Sequence, residues 1–233
     1  PYMAYPQMYG AKTVEYRLDS LDNWKIDLDD IRLKMNDSVK LLVLINPNNP
    51  TGNIATKSEI EELISIAQEW PKCTIIADEI YDGLDFTNSF VSVASLSRKV
   101  PVISLNGVSK VYFAPGWRIG YMAWHDPENR LTLVRDGVER ILRSRLCAST
   151  PAQYGYLEGL QNSHEWLMSH RELTEKRMNY CLKRIKEIDG ISCESPSGAF
   201  YLFVRLTNPE HYKNDKKWVL DLLHKEHVLV VHG

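Results

Sequence analysis

The residues best suited to chemistry in this sequence are a lysine and an arginine set close together behind a predicted strand. Lys110 follows the β-rich run Val102–Leu105 and the polar turn Asn106–Gly107, and Arg118 stands eight positions later, behind Pro115–Gly116–Trp117. A second apolar run, Ile119 to Trp124, comes next. A lysine amine displayed past a strand end can form an imine with an aldehyde, and an arginine brought back towards it by a Pro-Gly turn can fork onto a phosphate. One cofactor carries both groups, pyridoxal 5′-phosphate. Taken alone, the stretch is equally compatible with a surface lysine and a structural arginine.

The elements that must position these groups read as a parallel α/β arrangement. Lys40–Asn46 is a predicted buried strand by its unbroken aliphatic run. It ends in Asn46-Pro47-Asn48-Asn49-Pro50-Thr51-Gly52, a loop dense in turn residues. Thr56 and Glu59 form a capping box ahead of a helix whose Ile60, Leu63, Ile64 and Ala67 share one face, and Pro71 closes it. Cys73–Ala77 is a second strand, ending in Asp78-Glu79-Ile80-Tyr81, and Val102–Leu105 is a third. Strands joined by crossovers make a parallel sheet, and polar residues beyond the carboxyl ends of its strands converge on one crevice. Asn49, Asp78 and Lys110 all occupy such positions.

Earlier in the chain, Thr13–Leu18 reads as a short strand and Asp27–Lys34 as a short helix with acidic residues in its first turn. From Pro127 the pattern turns helical: Leu131, Val134, Val138, Ile141 and Leu142 share a face, a second helix spans Pro151–Gln161, and a long one spans Glu165–Ile188 up to Gly190. A short strand from Cys193, a strand over Ala199–Leu206, a helix over Lys216–Lys225 and a last strand over Val228–Val231 complete the tail. The expected fold is α/β, a mostly parallel mixed sheet flanked by helices over residues 1–168, with part of a small α+β domain over 169–233.

Composition narrows the function classes. With 44% apolar and 25% charged residues, the 233-residue chain is that of an ordinary globular protein with a sizeable core. A formal charge of −2 gives no general attraction to nucleic acid or an acidic membrane, and no apolar run approaches a membrane span. Cys73, Cys147, Cys181 and Cys193 lack paired or metal-like spacing and read as reduced thiols, and the seven histidines are scattered. A cytoplasmic protein without a metal site is expected. The chain opens at Pro1 without a methionine and stops after a strand-like run, so both ends are expected to be cuts in a longer sequence.

Three segments in this order resemble the class I/II aminotransferases, the fold-type I family of pyridoxal phosphate enzymes: Ile45–Gly52 (INPNNPTG), Ala77–Leu84 (ADEIYDGL) and Ser109–Tyr121 (SKVYFAPGWRIGY). Ser144–Gln153 and Ser195–Phe203 resemble the glutamate–pyruvate (alanine) aminotransferase branch most closely. The resemblance implies that Lys110 holds the cofactor covalently and moves a proton at the substrate α-carbon. It implies that Asp78 faces the pyridine nitrogen and keeps it protonated, making the ring an electron sink. Tyr81 and Asn49 are implied ligands of the cofactor's phenolate oxygen, and Arg118 and Ser109 of its phosphate. Tyr2 falls where the family has an aromatic that stacks on the ring. By residue type alone, Asp78 also suits a turn cap, Tyr81 and Tyr2 a packed core, and Ser109 a backbone turn.

One departure concerns Gly107, which stands three positions before Lys110, where many members carry a phosphate-binding hydroxyl. The family's phosphate-binding N-terminal loop and its substrate-carboxylate arginine lie in segments outside this sequence, so only the cofactor half of the site is expected here. The implied activity is transfer of an amino group between an amino acid, alanine or a similar small or acidic one, and a 2-oxo acid, by a homodimer. A carbon–sulfur β-lyase of the same fold and a non-catalytic domain sensing pyridoxal phosphate are the other readings.

Overall fold

The computed structural model describes residues 2–208 and 214–232. Its first half contains α1 (Ala4–Met8), β1 (Leu18–Asp19), β2 (Lys25–Ile26), α2 (Leu28–Lys34), β3 (Leu41–Ile45), α3 (Lys57–Gln68), β4 (Thr74–Asp78), α4 (Val93–Leu96) and β5 (Val102–Gly107). A 3-10 turn (Pro115–Trp117) leads into β6 (Gly120–His125). The remainder contains α5 (Thr132–Arg145), α6 (Thr150–Asn162), α7 (His164–Ile185), β7 (Ile191–Cys193), β8 (Val204–Leu206) and α8 (Asp215–Glu226).

The central sheet runs β3-β4-β5-β6, with the first three strands parallel and β6 antiparallel to β5. This is the expected mixed α/β sheet, and its parallel part is buried because the crossovers cover it. Leu42, Leu44, Ile75, Ala77 and Val102 pack with Ile60, Leu63, Ile66 and Ala67 of α3 into the main core. The capping box forms as read: Glu59 N–H donates to Thr56 Oγ1, and Thr56 N–H donates to the Glu59 carboxylate at 2.7 Å. Asp27 caps α2, its carboxylate accepting from Asp30 N–H at 2.8 Å.

Some predicted elements form differently. Of Thr13–Leu18 only Leu18 enters a strand, a two-residue ladder with β2; Tyr16 fastens the rest, its hydroxyl donating to the Val43 carbonyl at 2.9 Å. The helix predicted from Pro127 starts at Thr132, because the Asp126 carboxylate accepts from the N–H groups of Arg130 and Leu131 and so closes a turn there. The predicted strand Ala199–Leu206 shrinks to β8, since Ala199 takes a left-handed φ of 59°. Val228–Val231 joins no ladder among the described residues, and Leu229 and Val231 are exposed. Residues 168 and 169 both lie within the single helix α7.

Candidate active site

The geometry begins with strand register. Parallel pairing sets Ile45 beside Asp78, and Asp78 beside Leu105, so the parallel ladders end at one level, and β5 runs on to Gly107 against β6. The chain leaves β3 through the Asn46–Gly52 loop, whose Asn46–Pro47 and Asn49–Pro50 peptide bonds are cis. Asn46 is buried; its N–H donates to the Asp78 carbonyl and its side-chain oxygen accepts from Ala55 N–H, each at 2.9 Å. This loop is therefore laid across the end of β4, which brings Asn49 over the residues that follow Asp78.

Asp78 presents its carboxylate at the strand end to neutral donors. The Tyr2 hydroxyl donates to Oδ2 at 2.5 Å, and the Ile80 N–H donates to Oδ1 at 3.3 Å. Burial, and then the bond to Asp78, push the Tyr2 phenol above its ordinary range. Tyr2 thus meets the cluster through its hydroxyl. Tyr81, one turn beyond Asp78, is buried and lies next to Asn49, whose Nδ2 donates to its hydroxyl at 3.3 Å. Lys110 is half-buried in the turn after β5, and its Nζ lies over two aromatic faces, 5.9 Å from the Tyr81 centroid and 5.7 Å from that of Phe200. Cations are attracted to such faces at this range.

Two aromatic residues that sequence reasoning did not assign complete the cluster. Tyr201 has its hydroxyl 2.6 Å from that of Tyr81 and accepts from Asn49 Nδ2 at 3.3 Å. Phe200 meets Tyr81 edge-on, with centroids 5.5 Å apart. The signal for them lay in the Ser195–Phe203 segment, which carried a resemblance but no residue chemistry. Burial, and then the Tyr201 hydrogen bond, raise the Tyr81 phenol well above its ordinary value, so it stays protonated and can donate.

Arg118 and Ser109 stand apart from these contacts. Arg118 is exposed, in left-handed conformation with φ 54°, and its Nη1 donates to the Pro115 carbonyl at 2.6 Å. Ser109 is half-buried beside Lys110. The hairpin that carries all three is anchored on its far side by aromatics: Tyr112 packs edge-on against Tyr156 of α6 and stacks with Trp166 of α7. The glycine at position 107 has a steric cause. It pairs with Gly120 across the β5–β6 ladder, and a Cβ there would stand 2.6 Å from the Ile119 carbonyl oxygen. A hydroxyl side chain has no room at that position.

Two further carboxylates, Glu79 and Asp82, lie behind the cluster, each pushed upward in pKa by burial. They serve the frame: Glu79 accepts from Val93 N–H and the Ser92 hydroxyl at the start of α4, and Asp82 accepts from the Asn106 amide at 2.8 Å. A cleft of about 300 Å³ lies between the segment 82–90 and α7, lined by Asp82, Asn88, His164 and Arg171 among others. None of the clustered tyrosines, Lys110 or Asp78 lines it, so this cleft and the reactive groups are separate features. Among the described residues there is no group of three or more metal-ligating side chains and no helix long and apolar enough to cross a membrane.

Comparison with known proteins fits this geometry. The family model for aminotransferase class I and II matches residues 2–233. The chain is 37% identical over 229 residues to the glutamate-pyruvate aminotransferase AlaA of Haemophilus influenzae, covering 96% of this chain and 56% of that protein. It is 34% identical to the alanine aminotransferase of Mycobacterium tuberculosis, covering 96% of this chain and 53% of that protein. Among solved structures, an alanine aminotransferase from Pyrococcus furiosus superposes with a TM-score of 0.95 at 46% identity, covering 100% of this chain and 59% of that one. An aspartate aminotransferase from Thermotoga maritima gives 0.84 at 26% identity, covering 99% and 58%. The chain thus spans a little over half the length of the curated relatives it matches.

Proposed function

Since the chain belongs to the class I and II aminotransferases, we propose that the protein moves an amino group between a small or acidic amino acid, alanine foremost, and a 2-oxo acid, with pyridoxal 5′-phosphate bound at Lys110. The observation that carries the reading is the Lys110 amine lying over Tyr81 and Phe200 at the strand end where Asp78 presents a carboxylate held by neutral donors. The names of the similar proteins support alanine and glutamate as the amino donors. The division into a large domain over 1–168 and a small one over 169–233, a homodimer and a cytoplasmic location belong to the same reading.

The side chains present suit each polar end of the cofactor. Lys110 offers an amine to its aldehyde. Asp78 offers a carboxylate to the ring nitrogen, and Tyr81 and Asn49 offer hydrogens to the phenolic oxygen. Arg118, exposed and with most of its guanidinium hydrogens uncommitted, suits the phosphate, with Ser109 beside it. Tyr2, whose hydroxyl donates to Asp78, would supply an aromatic ring beside that of the cofactor.

When bound, pyridoxal phosphate supplies a sink for the electrons left on the substrate α-carbon as its proton departs. Lys110 Nζ, as a free amine, would be the base that takes this proton. Asp78, half-buried at the end of β4, would place negative charge beside the ring nitrogen and so favour its protonated form. Tyr81 would donate to the phenolic oxygen and favour its charged form. Phe200 and the ring of Tyr81 give the lysine amine an apolar and π-rich bed that limits its excursions.

Purified protein supplied with L-alanine and 2-oxoglutarate is expected to form pyruvate and glutamate in equal amounts. Release of a thiol from cystathionine, with no glutamate formed from alanine, would transfer the reading to a β-lyase.

A further inference from the structure

Tyr201 reaches the cluster along a route clamped by backbone bonds. The N–H groups of Ser197 and Gly198 both donate to the Gly52 carbonyl at 2.9 Å. On the other side, Ala199 N–H donates to the Leu84 carbonyl at 2.8 Å and Phe86 N–H donates to the Ser197 carbonyl at 2.9 Å. The approach is close enough that a Cβ on Gly52, itself at φ 70°, would overlap the Pro196 Cβ. Ala199 is wholly buried in a left-handed conformation, which a non-glycine residue keeps only when its surroundings impose it. The turn therefore delivers Tyr201 to Tyr81 at a set position, with ring centroids 5.5 Å apart.

The two hydroxyl oxygens, 2.6 Å apart, share one hydrogen between them. Asn49 Nδ2 can only donate, and it lies 3.3 Å from both oxygens. When the shared hydrogen belongs to Tyr81, the Tyr81 oxygen has nothing left to donate. When it belongs to Tyr201, the Tyr81 oxygen accepts from both Tyr201 and Asn49, and its own hydrogen is directed outward. An anionic oxygen beside Tyr81 selects the second arrangement, and successive hydrogen bonds of this kind polarise one another.

We propose that Tyr201 is a positioning residue that acts through Tyr81: it donates its hydroxyl hydrogen to the Tyr81 oxygen and so commits the Tyr81 hydrogen to the phenolic oxygen of the cofactor. The proposal rests on the function proposed above and adds to it a residue 120 positions from the one it acts on. The raised pKa of Tyr81, caused by burial and then by the Tyr201 bond, agrees with a phenol kept as donor.

The test uses the holoenzyme and its Tyr201→Phe, Tyr81→Phe and doubly substituted forms, read by the pH midpoint of the visible absorbance of the cofactor fixed at Lys110. Loss of the Tyr201 hydroxyl is expected to raise that midpoint by roughly 0.4 to 1 pH unit, the worth of one net hydrogen bond. Tyr81→Phe is expected to raise it at least as far, and the double variant to match Tyr81→Phe alone. An unchanged midpoint in Tyr201→Phe, with or without a lower melting temperature, overturns the proposal. Additive shifts in the double variant also overturn it, since Tyr201 then acts independently of Tyr81. Failure of the function reading is recognised separately: no cofactor absorbance at any pH in the parent protein, which removes the proposal with it.

Discussion

The sheet region and the helix α5 hold their shape by different means. In the sheet region Ile60, Leu63, Ile75, Val93 and Val102 are wholly buried, and every parallel strand contributes buried side chains to the core. In α5 no residue is buried: Leu133 is 85% exposed, Ile141 66% and Leu142 57%. What supports α5 within the chain is local. Arg135 and Arg143 pair with Glu139, and Arg140 pairs with Asp136 at 2.8 Å, all at helical i,i+4 spacing. Such pairs are worth only a few tenths of a kcal/mol each. The reactive groups follow the first region. Asn49 and Asp78 hang from covered strands, whereas Lys110 sits at the border, its hairpin tied to α6 and α7 by Tyr112. The acid half of the site is thus fixed by the sheet, and the amine half depends on helices beyond it.

Asp78→Ala gives the largest expected effect. It is expected to leave the cofactor attached at Lys110 but to lower transamination on the order of a thousandfold. Near-normal turnover would remove the acid half from the chemistry. Next comes a paired truncation that measures the contrast itself. Leu63→Ala is expected to cost about 2–5 kcal/mol in urea unfolding, while Ile141→Ala stays within about 0.5 kcal/mol. Equal losses would show that α5 is packed in solution as firmly as the sheet.

The smallest effect concerns the edge of the sheet region. Asp30 is buried, pairs with Lys34 at 2.6 Å and accepts from Arg17 N–H at 2.9 Å. The hydrogen bond to Lys34, outweighing desolvation, holds its carboxyl below the ordinary carboxylate range. A lowered folded pKa means stability that is present above the unfolded value and lost as pH falls through the folded one. Asp30→Asn is therefore expected to lower the melting temperature at pH 7 by less than Leu63→Ala does, and its gap to the parent protein is expected to close as pH falls below about 4. A gap that persists at pH 2 would assign the effect to packing and not to charge.

Much of the sheet region is legible in the residues alone, because its signals are local. The capping box needs Thr56 and Glu59 three apart, the buried strands need unbroken aliphatic runs, and Asn49, Asp78 and Lys110 need only follow such strands. Tyr201 is not legible in that way: what brings it to Tyr81 is a set of backbone bonds from the Gly52 carbonyl and Leu84, residues distant in sequence. The short ladder at β8 and the late start of α5 escape for a related reason. The left-handed φ of Ala199 and the Asp126 turn override propensities that favour strand and helix. Gly107 shows the converse, a departure seen in the sequence whose cause appears only in the cross-strand pairing with Gly120.

Borohydride reduction of the purified, cofactor-loaded protein, followed by peptide mapping, tests the central assignment most directly. The pyridoxyl mass is expected on the peptide that contains Lys110. Its recovery on any other lysine would contradict the account, because the amine lying over Tyr81 and Phe200 would then not be the one that holds the cofactor.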